Sequence, residues 1–366
     1  MLSTEEKARY ARHFTLSQVG IEGQEKLKNS SVLCIGAGGL GSPATLYLAA
    51  AGVREIGIVD SDIVELSNLQ RQILHGQSTL GQSKLDSAEA RLSDVNPHVQ
   101  VVKYPVNFTS ENAIEIAKDY DVIIDGTDNF PTRYLSNDVS VLLKKPNIYA
   151  SIFRFEGQLS VFAPHLGGPC YRCMLPQPPD PGTVPSCAEA GVLGVLPGII
   201  GSLQAMEAIK ILLGTGAPPL GTLLHYDALQ TRFRDFKLKR DPECALCGDH
   251  PTITELVDYE NFCGIPSPNQ ESNQPGEISV EQLKAKLDAG YDGVLIDVRE
   301  PWEHDVANIP PARLVPLATF PGMIPELQAM GLDQEIIIHC KSGMRSDRAC
   351  EFLRDEGFTN VHNVAG

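Results

Sequence analysis

Between residues 31 and 163 the apolar positions switch repeatedly between two periods. Short Val/Ile-rich runs, the mark of buried strands, alternate with stretches whose apolar residues recur at helical spacing. Ser31–Ile35 predicts a strand, and residues 42–51 predict a helix with Pro43 in its first turn, where proline is tolerated. Residues 55–60 predict a second strand and 84–95 a helix; a strand at 99–104, a helix near 111–118 and a strand at 121–125 follow. This order predicts an α/β fold, a Rossmann-like, mainly parallel sheet covered by helices on both faces. Ligands of such sheets sit beyond the carboxyl ends of the strands.

Farther along, the pattern breaks and then restarts. Residues 170–182 are rich in proline and cysteine, and Pro176–Gly182 cannot be regular structure. The most apolar stretch, residues 191–213, carries Gln204, Glu207 and Lys210 along one edge. A membrane span would place those groups in hydrocarbon at high cost, so the stretch predicts a core or interface helix. A polar, hairpin-like region ends at Cys244–Cys247. Residues 265–276 lack apolar periodicity and are full of breakers, which predicts a linker. A second, smaller α/β domain then begins, with a helix opening at Ser279 and strands over 293–299 and 335–340. The expected organisation is a first domain at 1–264, a linker at 265–276 and a second domain at 277–366.

Composition narrows the class. The chain has 366 residues, of which 42% are hydrophobic, enough for substantial cores. Its formal net charge of -16 argues against nucleic acid as a partner. Met1–Lys7 is polar, which sets the expectation of no secretory leader. Nine cysteines, four of them in two C-x-x-C pairs, suit a cytoplasmic metal or thiol protein better than a disulfide scaffold.

The candidate chemistry starts at Gly36-Ala-Gly-Gly-Leu-Gly41, between the first strand and the first helix. Such a loop places backbone N–H groups and a helix N-terminus against phosphate oxygens. Asp60 ends the second strand, where an acid can bond ribose hydroxyls. These two features fit a dinucleotide and ATP equally. Arg71 and Lys84 tilt the balance, because cations beside an anionic ligand serve transfer at phosphorus and would crowd a nicotinamide pocket. Their alternative reading is ordinary surface charge. Asp128, at the end of another strand, is suited to Mg²⁺, to capping the helix before Pro131, or to both.

Cys170, Cys173, Cys244 and Cys247 make a tetrahedral four-cysteine zinc site plausible, and four thiolates would leave no position for water, so the zinc would be structural. Cys187 is left over in a loop, either an inert buried thiol or a working one. In the second domain a buried strand delivers Cys340 to a short turn that runs into a helix. Loop N–H groups, the helix dipole, Lys341 and Arg345 would stabilise an anion on that sulfur. This suits a persulfide, or the phosphate-like substrate of a Cys-dependent phosphatase.

Taken together, Gly36–Gly41, Asp60, Ser67–Arg71, Lys84, Asp128-Asn129, both C-x-x-C pairs and Cys187 resemble the MoeB/ThiF family, which is similar to ubiquitin-activating enzymes. Leu295–Glu300, Glu303 and the Cys340–Arg345 loop resemble a rhodanese domain. The combination resembles an adenylyltransferase/sulfurtransferase, the kind that serves molybdenum cofactor biosynthesis. The resemblance implies that Gly39, Asp60, Ser67, Asn68, Leu69, Gln70, Arg71, Lys84, Asp128 and Asn129 bind Mg·ATP. The substrate it implies is a small ubiquitin-like sulfur-carrier protein whose C-terminal glycine is adenylylated. It also implies a homodimer, with Arg12 reaching the partner's site. Cys340 would carry a persulfide drawn from a donor such as a cysteine desulfurase or thiosulfate, and Cys187 would be the thiol that forms an acyl-disulfide or thioester on the way. The carrier's pathway stays open among molybdopterin, thiamine, cysteine and tRNA thiolation. Rhodanese domains usually continue with a Gly-Gly turn and a Trp-containing helix, so the second domain is expected to be truncated at its C-terminus. Asn308-Ile-Pro-Pro-Ala312 stands where His-Ile-Pro-Gly-Ala is usual, a modest turn change. The competing readings are an NAD(P)-dependent oxidoreductase with an accessory domain and a non-catalytic scaffold for a ubiquitin-like protein.

Overall fold

A computed structural model describes residues 1–179, 183, 191–264 and 276–365. The chain divides into two compact units, Met1–Ile265 and Pro266–Gly366. In the first, strands β1 (Ser31–Ile35), β2 (Glu55–Val59), β3 (Gln100–Tyr104), β4 (Val122–Asp125), β5 (Asn147–Phe153), β6 (Glu156–Phe162), β7 (Thr222–Asp227) and β8 (Arg232–Lys237) form one sheet. Their spatial order is β3-β2-β1-β4-β5-β6-β7-β8. The first five run parallel, and β6, β7 and β8 extend the sheet antiparallel.

Residues in β1 and β4 are buried on both faces, which is why their Val/Ile runs show no alternation. From β1 the chain crosses to β2 on one side, while β4 lies on the other. The topology therefore reverses between β1 and β4, and the crevice at their carboxyl ends is the place where such a sheet receives a ligand. The Gly36–Gly41 loop and the residues after Asp125 both open onto it.

The long apolar helix spans Val195–Leu213 and packs on helix Gly41–Ala51 and on β5 and β6. Among the described residues it is the helix long and apolar enough to cross a membrane by length and composition. Its polar edge has partners within the protein. The fully buried Gln204 amide donates to the carbonyls of Asp125 (2.7 Å) and Ile148 (2.9 Å), and Lys210 pairs with Glu207 at 2.7 Å.

The second unit holds β9 (Glu277–Ser279), β10 (Val294–Asp297), β11 (Arg313–Leu314), β12 (Ile336–His339) and β13 (Val361–Ala365) in the order β11-β10-β12-β13-β9, all parallel. Ser279 and Gln282 form a capping box that starts helix Val280–Asp288 at the residue where the helical pattern opens. Buried β12 lies between β10 and β13 and ends directly before Cys340. In the altered turn at 308–312, Ala312 N–H donates to the Ile309 carbonyl at 2.7 Å.

Candidate functional site

In the first unit the crevice assembles two groups of side chains around the glycine loop. Asp60 stands at its rear: Oδ2 accepts from Ala37 N–H at 2.8 Å and Oδ1 from Asp62 N–H at 2.9 Å. Lys84, the first residue of helix Lys84–Val95, is buried, with its Nζ 2.6 Å from Asp62 and 3.7 Å from Asp60. A cation and an acid are thus fixed to the loop before any ligand arrives, so little reorganisation is needed when charge develops.

On the other side, the turn after Leu66 brings Arg71 to the loop. A Cβ at Gly39 would meet Pro197 at 3.3 Å and the Arg71 stem at 3.7 Å. The Arg71 guanidinium donates to the Ser67 carbonyl at 3.0 Å. Asn68 is buried and closes its own turn by accepting from Glu65 N–H at 3.1 Å. Leu69 is half-buried, and the Gln70 carbonyl lies so close to Gly194 that a Cβ there would be 1.9 Å away. This packing locks the 67–71 turn against the start of the long helix. Gly41 is required at its position, since a Cβ would lie 2.0 Å from the Gly36 carbonyl oxygen. The close approach narrows the loop and turns it into the helix.

The loop after β4 forms the crevice's opposite wall. A Cβ on Gly126 would be 3.2 Å from the Gly36 oxygen and 3.5 Å from Gly41 N, so the two loops touch. Asp128 is exposed on this wall. The helix cap belongs to its neighbour: Asn129 accepts from Thr132 N–H at 2.9 Å, ahead of helix Phe130–Leu142. Asp128 therefore does not take the capping role offered for it, because Asn129 occupies the extended residue whose side chain faces the free N–H. Arg12 is exposed on helix Ala11–Phe14, and among the described residues its side chain joins none of the groups above. Cys187 lies outside the described residues.

Further buried polar residues line the crevice. His75 is buried, with Nε2 3.0 Å from the Ala37 carbonyl and Nδ1 3.0 Å from the Ser87 hydroxyl, and burial pushes its pKa down. Buried Asp125 accepts from the Thr127 N–H at 3.0 Å and hydroxyl at 2.6 Å, and burial pushes its carboxyl up. The Gln72 side chain is buried beside Gly38. Asp125 and Gln72 belong to stretches the sequence already places at the crevice, whereas His75 has no periodic signature and only the fold reveals it.

The four cysteines of the two C-x-x-C pairs converge, with all sulfurs within 4.8 Å of one another. Cys170 lies 3.6 Å from Cys244 and 3.9 Å from Cys173, and Cys173 lies 3.4 Å from Cys247. A tetrahedron with metal–sulfur bonds of ~2.3 Å has edges of ~3.8 Å, so the donor set fits a zinc-like ion. Arg172, inside the first pair, makes a buried two-pronged bond to Asp138, at 2.9 Å from Nε to Oδ1 and 2.8 Å from its terminal NH2 to Oδ2. Tyr259 O–H donates to the same carboxylate at 2.8 Å. The cysteine knuckle is thereby anchored to helix Phe130–Leu142.

In the second unit Cys340 sits at the carboxyl end of β12, with Gly343 in the left-handed region (φ 81) turning the chain into helix Met344–Asp355. Burial pushes the thiol up. The Ser346 hydroxyl, 3.3 Å away, and the N–H groups of Ser346, Ser342 and Arg345 outweigh it, and the pKa ends lowered. The Arg345 side chain is engaged elsewhere, since its guanidinium grips Glu303 at 2.6 and 2.8 Å. The loop backbone, rather than the cationic side chain expected to help, is the main support of the anion. Arg299 N–H and Nε donate to Asp297 Oδ1 and its NH2 to Oδ2 at 2.7 Å, while His304 Nδ1 lies 3.1 Å from Oδ2. Burial pushes Asp297 up, yet the Arg299 and His304 bonds hold it at about 2.

A doubly wound sheet with a phosphate-type loop, pre-placed Lys84 and Arg71, and a knotted four-cysteine knuckle defines a nucleotide-activating α/β domain. The second unit defines a sulfur-handling thiolate domain. The chain belongs to the ThiF family, whose model matches residues 10–246, and a rhodanese-like domain model matches residues 279–366. It is 45% identical to the probable adenylyltransferase/sulfurtransferase MoeZ of Mycobacterium tuberculosis, over all of this chain and 92% of that one. It is 56% identical to a sulfur carrier protein adenylyltransferase of Thermus thermophilus, over 71% of this chain and 98% of that one. The adenylyltransferase and sulfurtransferase MOCS3 of Culex quinquefasciatus is 42% identical over all of this chain and 87% of its own. In fold, the chain is similar to E. coli MccB crystallised with ATP, with a TM-score of 0.58 at 22% identity over 67% of this chain and 75% of that one.

Proposed function

We propose that the chain adenylylates the C-terminal glycine of a small ubiquitin-like sulfur-carrier protein and then converts it to a thiocarboxylate. The observation that carries the reading is the pairing, in one chain, of a ThiF-type crevice with a rhodanese-type thiolate loop, matched along its whole length by relatives named adenylyltransferase/sulfurtransferase.

In this reading Mg·ATP lies in the crevice between the β1 and β4 loops. Gly39, Asp60, Ser67, Asn68, Leu69, Gln70, Arg71, Lys84, Asp128 and Asn129 would contact it, and Asp128 would hold Mg²⁺. The glycine carboxylate attacks the α-phosphorus, the α–β bridge breaks, and pyrophosphate leaves as Lys84 and Arg71 offset the charge on the phosphoryl oxygens. The step matters because a carboxylate is a poor electrophile, whereas the acyl-adenylate has AMP as its leaving group. The terminal sulfur of a Cys340 persulfide attacks the acyl carbon and releases AMP. A second thiol then attacks Cys340 Sγ, leaving a protein disulfide and freeing the carrier thiocarboxylate; Cys187 is the candidate. An external thiol reductant resets the pair.

Zinc at Cys170, Cys173, Cys244 and Cys247 would fix the knuckle and supply no chemistry. The exposed position of Arg12 supports a homodimer in which it reaches a partner's crevice. None of the eight described cysteines is in a disulfide, and four of them converge as metal-type donors, which supports a reducing, cytoplasmic setting. The test is carrier-dependent ATP–pyrophosphate exchange. Wild type is expected to catalyse it and folded Asp128→Ala to lose it; absence of exchange with every ubiquitin-like carrier tried would refute the reading.

A further inference from the structure

One charged side chain in the first unit has a cost that its packing does not explain. Arg133, four residues into helix Phe130–Leu142, is 7% exposed. Its guanidinium lies over the rings of Tyr149 at 5.2 Å and Phe130 at 5.8 Å, and faces the Tyr171 hydroxyl of the cysteine knuckle. Among the described residues its Nε has no hydrogen-bond partner, and Asp125 is a countercharge acting through space. A cation buried without a carboxylate in direct contact is expensive, and an apolar residue of similar volume would pack the position at less cost.

Besides its hydrogen bond to the Tyr171 hydroxyl, the guanidinium holds one backbone atom: its terminal NH2 donates to the Thr127 carbonyl at 3.1 Å. The same residue is gripped from the opposite side, where Asp125 Oδ1 accepts from both its N–H and its hydroxyl. Thr127 is thus fixed at N–H, hydroxyl and carbonyl, and the next residue is Asp128. Below the clamp, Asp125 is tied to the sheet and, through its own carbonyl, to Gln204 at 2.7 Å.

We infer that Arg133 is a positioning residue for Asp128, acting through the Thr127 carbonyl, with Asp125 as the opposing jaw. The inference rests on the adenylation reading, in which Asp128 faces Mg·ATP. It explains why a cation is buried here. Asp128 itself is exposed, on the short loop between β4 and helix Phe130–Leu142. Arg133 is buried where Asp128 is exposed, so its bond to Thr127 supports the loop without covering the open face of the carboxylate.

The test uses the full chain and four variants, Arg133→Lys, Arg133→Met, Thr127→Val and Thr127→Ser. Amide hydrogen exchange of the ligand-free protein, read by mass spectrometry, reports the loop directly, and the Mg²⁺ dependence of ATP–pyrophosphate exchange reports its use. With Arg133→Met, amides 127–129 are expected to exchange about 10-fold faster, the scale of one lost charge-assisted bond, while those of helix Gly41–Ala51 keep their protection. The half-saturating Mg²⁺ concentration is expected to rise by a similar factor, and Arg133→Lys, which keeps the cation, should fall between wild type and Arg133→Met. Thr127→Val removes only the hydroxyl bond and should move both readouts in the same direction by less, and Thr127→Ser should restore them. Unchanged protection at 127–129 in both Arg133→Met and Thr127→Val overturns the inference. So does a loss of protection spread evenly through the first unit with an unchanged Mg²⁺ requirement, which would make Arg133 merely structural. A wild type without pyrophosphate exchange defeats the adenylation reading, and the hydrogen-exchange arm still decides whether Arg133 and Thr127 form a clamp.

Discussion

Each unit carries a turn at the carboxyl end of an interior parallel strand and runs it into a helix, and the two turns treat negative charge differently. After β1, the Gly36–Gly41 loop has already committed one of its N–H groups, that of Ala37, to the Asp60 carboxylate, and Lys84 is tethered to Asp62 beside it. This site is a cradle of balanced charges awaiting an anion brought by a ligand. After β12, the N–H groups of Ser342, Arg345 and Ser346 and the Ser346 hydroxyl converge on a sulfur that is part of the chain. Here the anion is built in, and the nearby cation Arg345 is occupied by Glu303. A visiting triphosphate brings several charges, met here by pre-placed cations as well as dipoles; one sulfur on a fixed backbone is served chiefly by the N–H and O–H donors around it.

The strongest way to break this comparison is to disable each turn separately. Cys340→Ala should reduce thiosulfate-dependent sulfur transfer by about 10³-fold or more and leave ATP–pyrophosphate exchange within about 2-fold. Lys84→Met should do the reverse, cutting exchange by about 10²–10³-fold. Cross-effects of similar size, with each half-reaction assayed by itself, would mean that the two turns are not independent sites.

Metal removal tests the units at the level of stability. Stripping the four-cysteine cluster with a chelator should lower the melting transition of the first unit markedly, because metal-binding energy there is folding energy, and leave the second transition in place. A scanning calorimetry trace in which both transitions fall together would contradict the assignment.

The glycines sharpen the contrast. Gly41→Ala drives a Cβ to 2.0 Å from a backbone oxygen, which side-chain motion cannot relieve. It should destabilise by roughly 3 kcal/mol or more in denaturant titration. Gly343→Ala only forces a side chain into the left-handed region at φ 81, a strain of about 1–2 kcal/mol.

The smallest effect is a pH shift. With its pKa lowered, Cys340 should be alkylated by iodoacetamide with a midpoint below the ordinary ~8.5 of a cysteine. The sign follows directly: thiolate is populated above the lowered pKa, and reactivity is lost as pH falls through it. Ser346→Ala removes one donor and should raise the midpoint, while Arg345→Lys should move it less, because the Arg345 contribution is its backbone N–H. Asp297 behaves in the same sense. Held at about 2, its bonds to Arg299 and His304 are intact above the ordinary carboxylate range and fail as pH falls toward 2.

Most of the parallel core was legible in the residues. Ser31–Ile35 and the helix Lys84–Val95 lie within the runs that predict them, because doubly buried strands and a capped amphipathic helix write strong local patterns. The antiparallel extension was less legible. In β8 every residue is exposed, so Arg232–Lys237 carries no apolar run, and β11 is only two residues long. The candidate residues of the two turns were also readable, since glycine runs and a strand-ending cysteine are local features. The supports beneath them were not: Thr127, Arg133 and Ser346 have no distinctive spacing, and each matters through bonds to a distant segment or a neighbouring turn.

By itself, then, the sequence determined the two-unit organisation, the sheet-and-helix alternation, the cysteine donor set and the two anion-handling turns, all of which follow from short-range periodicity and residue chemistry. Tertiary structure alone decided how these groups are used. It assigned the helix cap to Asn129 and left Asp128 open, it paired the Arg345 charge with Glu303, and it brought cysteines about 70 residues apart to within 4.8 Å of one another. The physical reason is that hydrogen bonds and ion pairs depend on ångström-scale placement, and that placement is fixed only when remote segments pack.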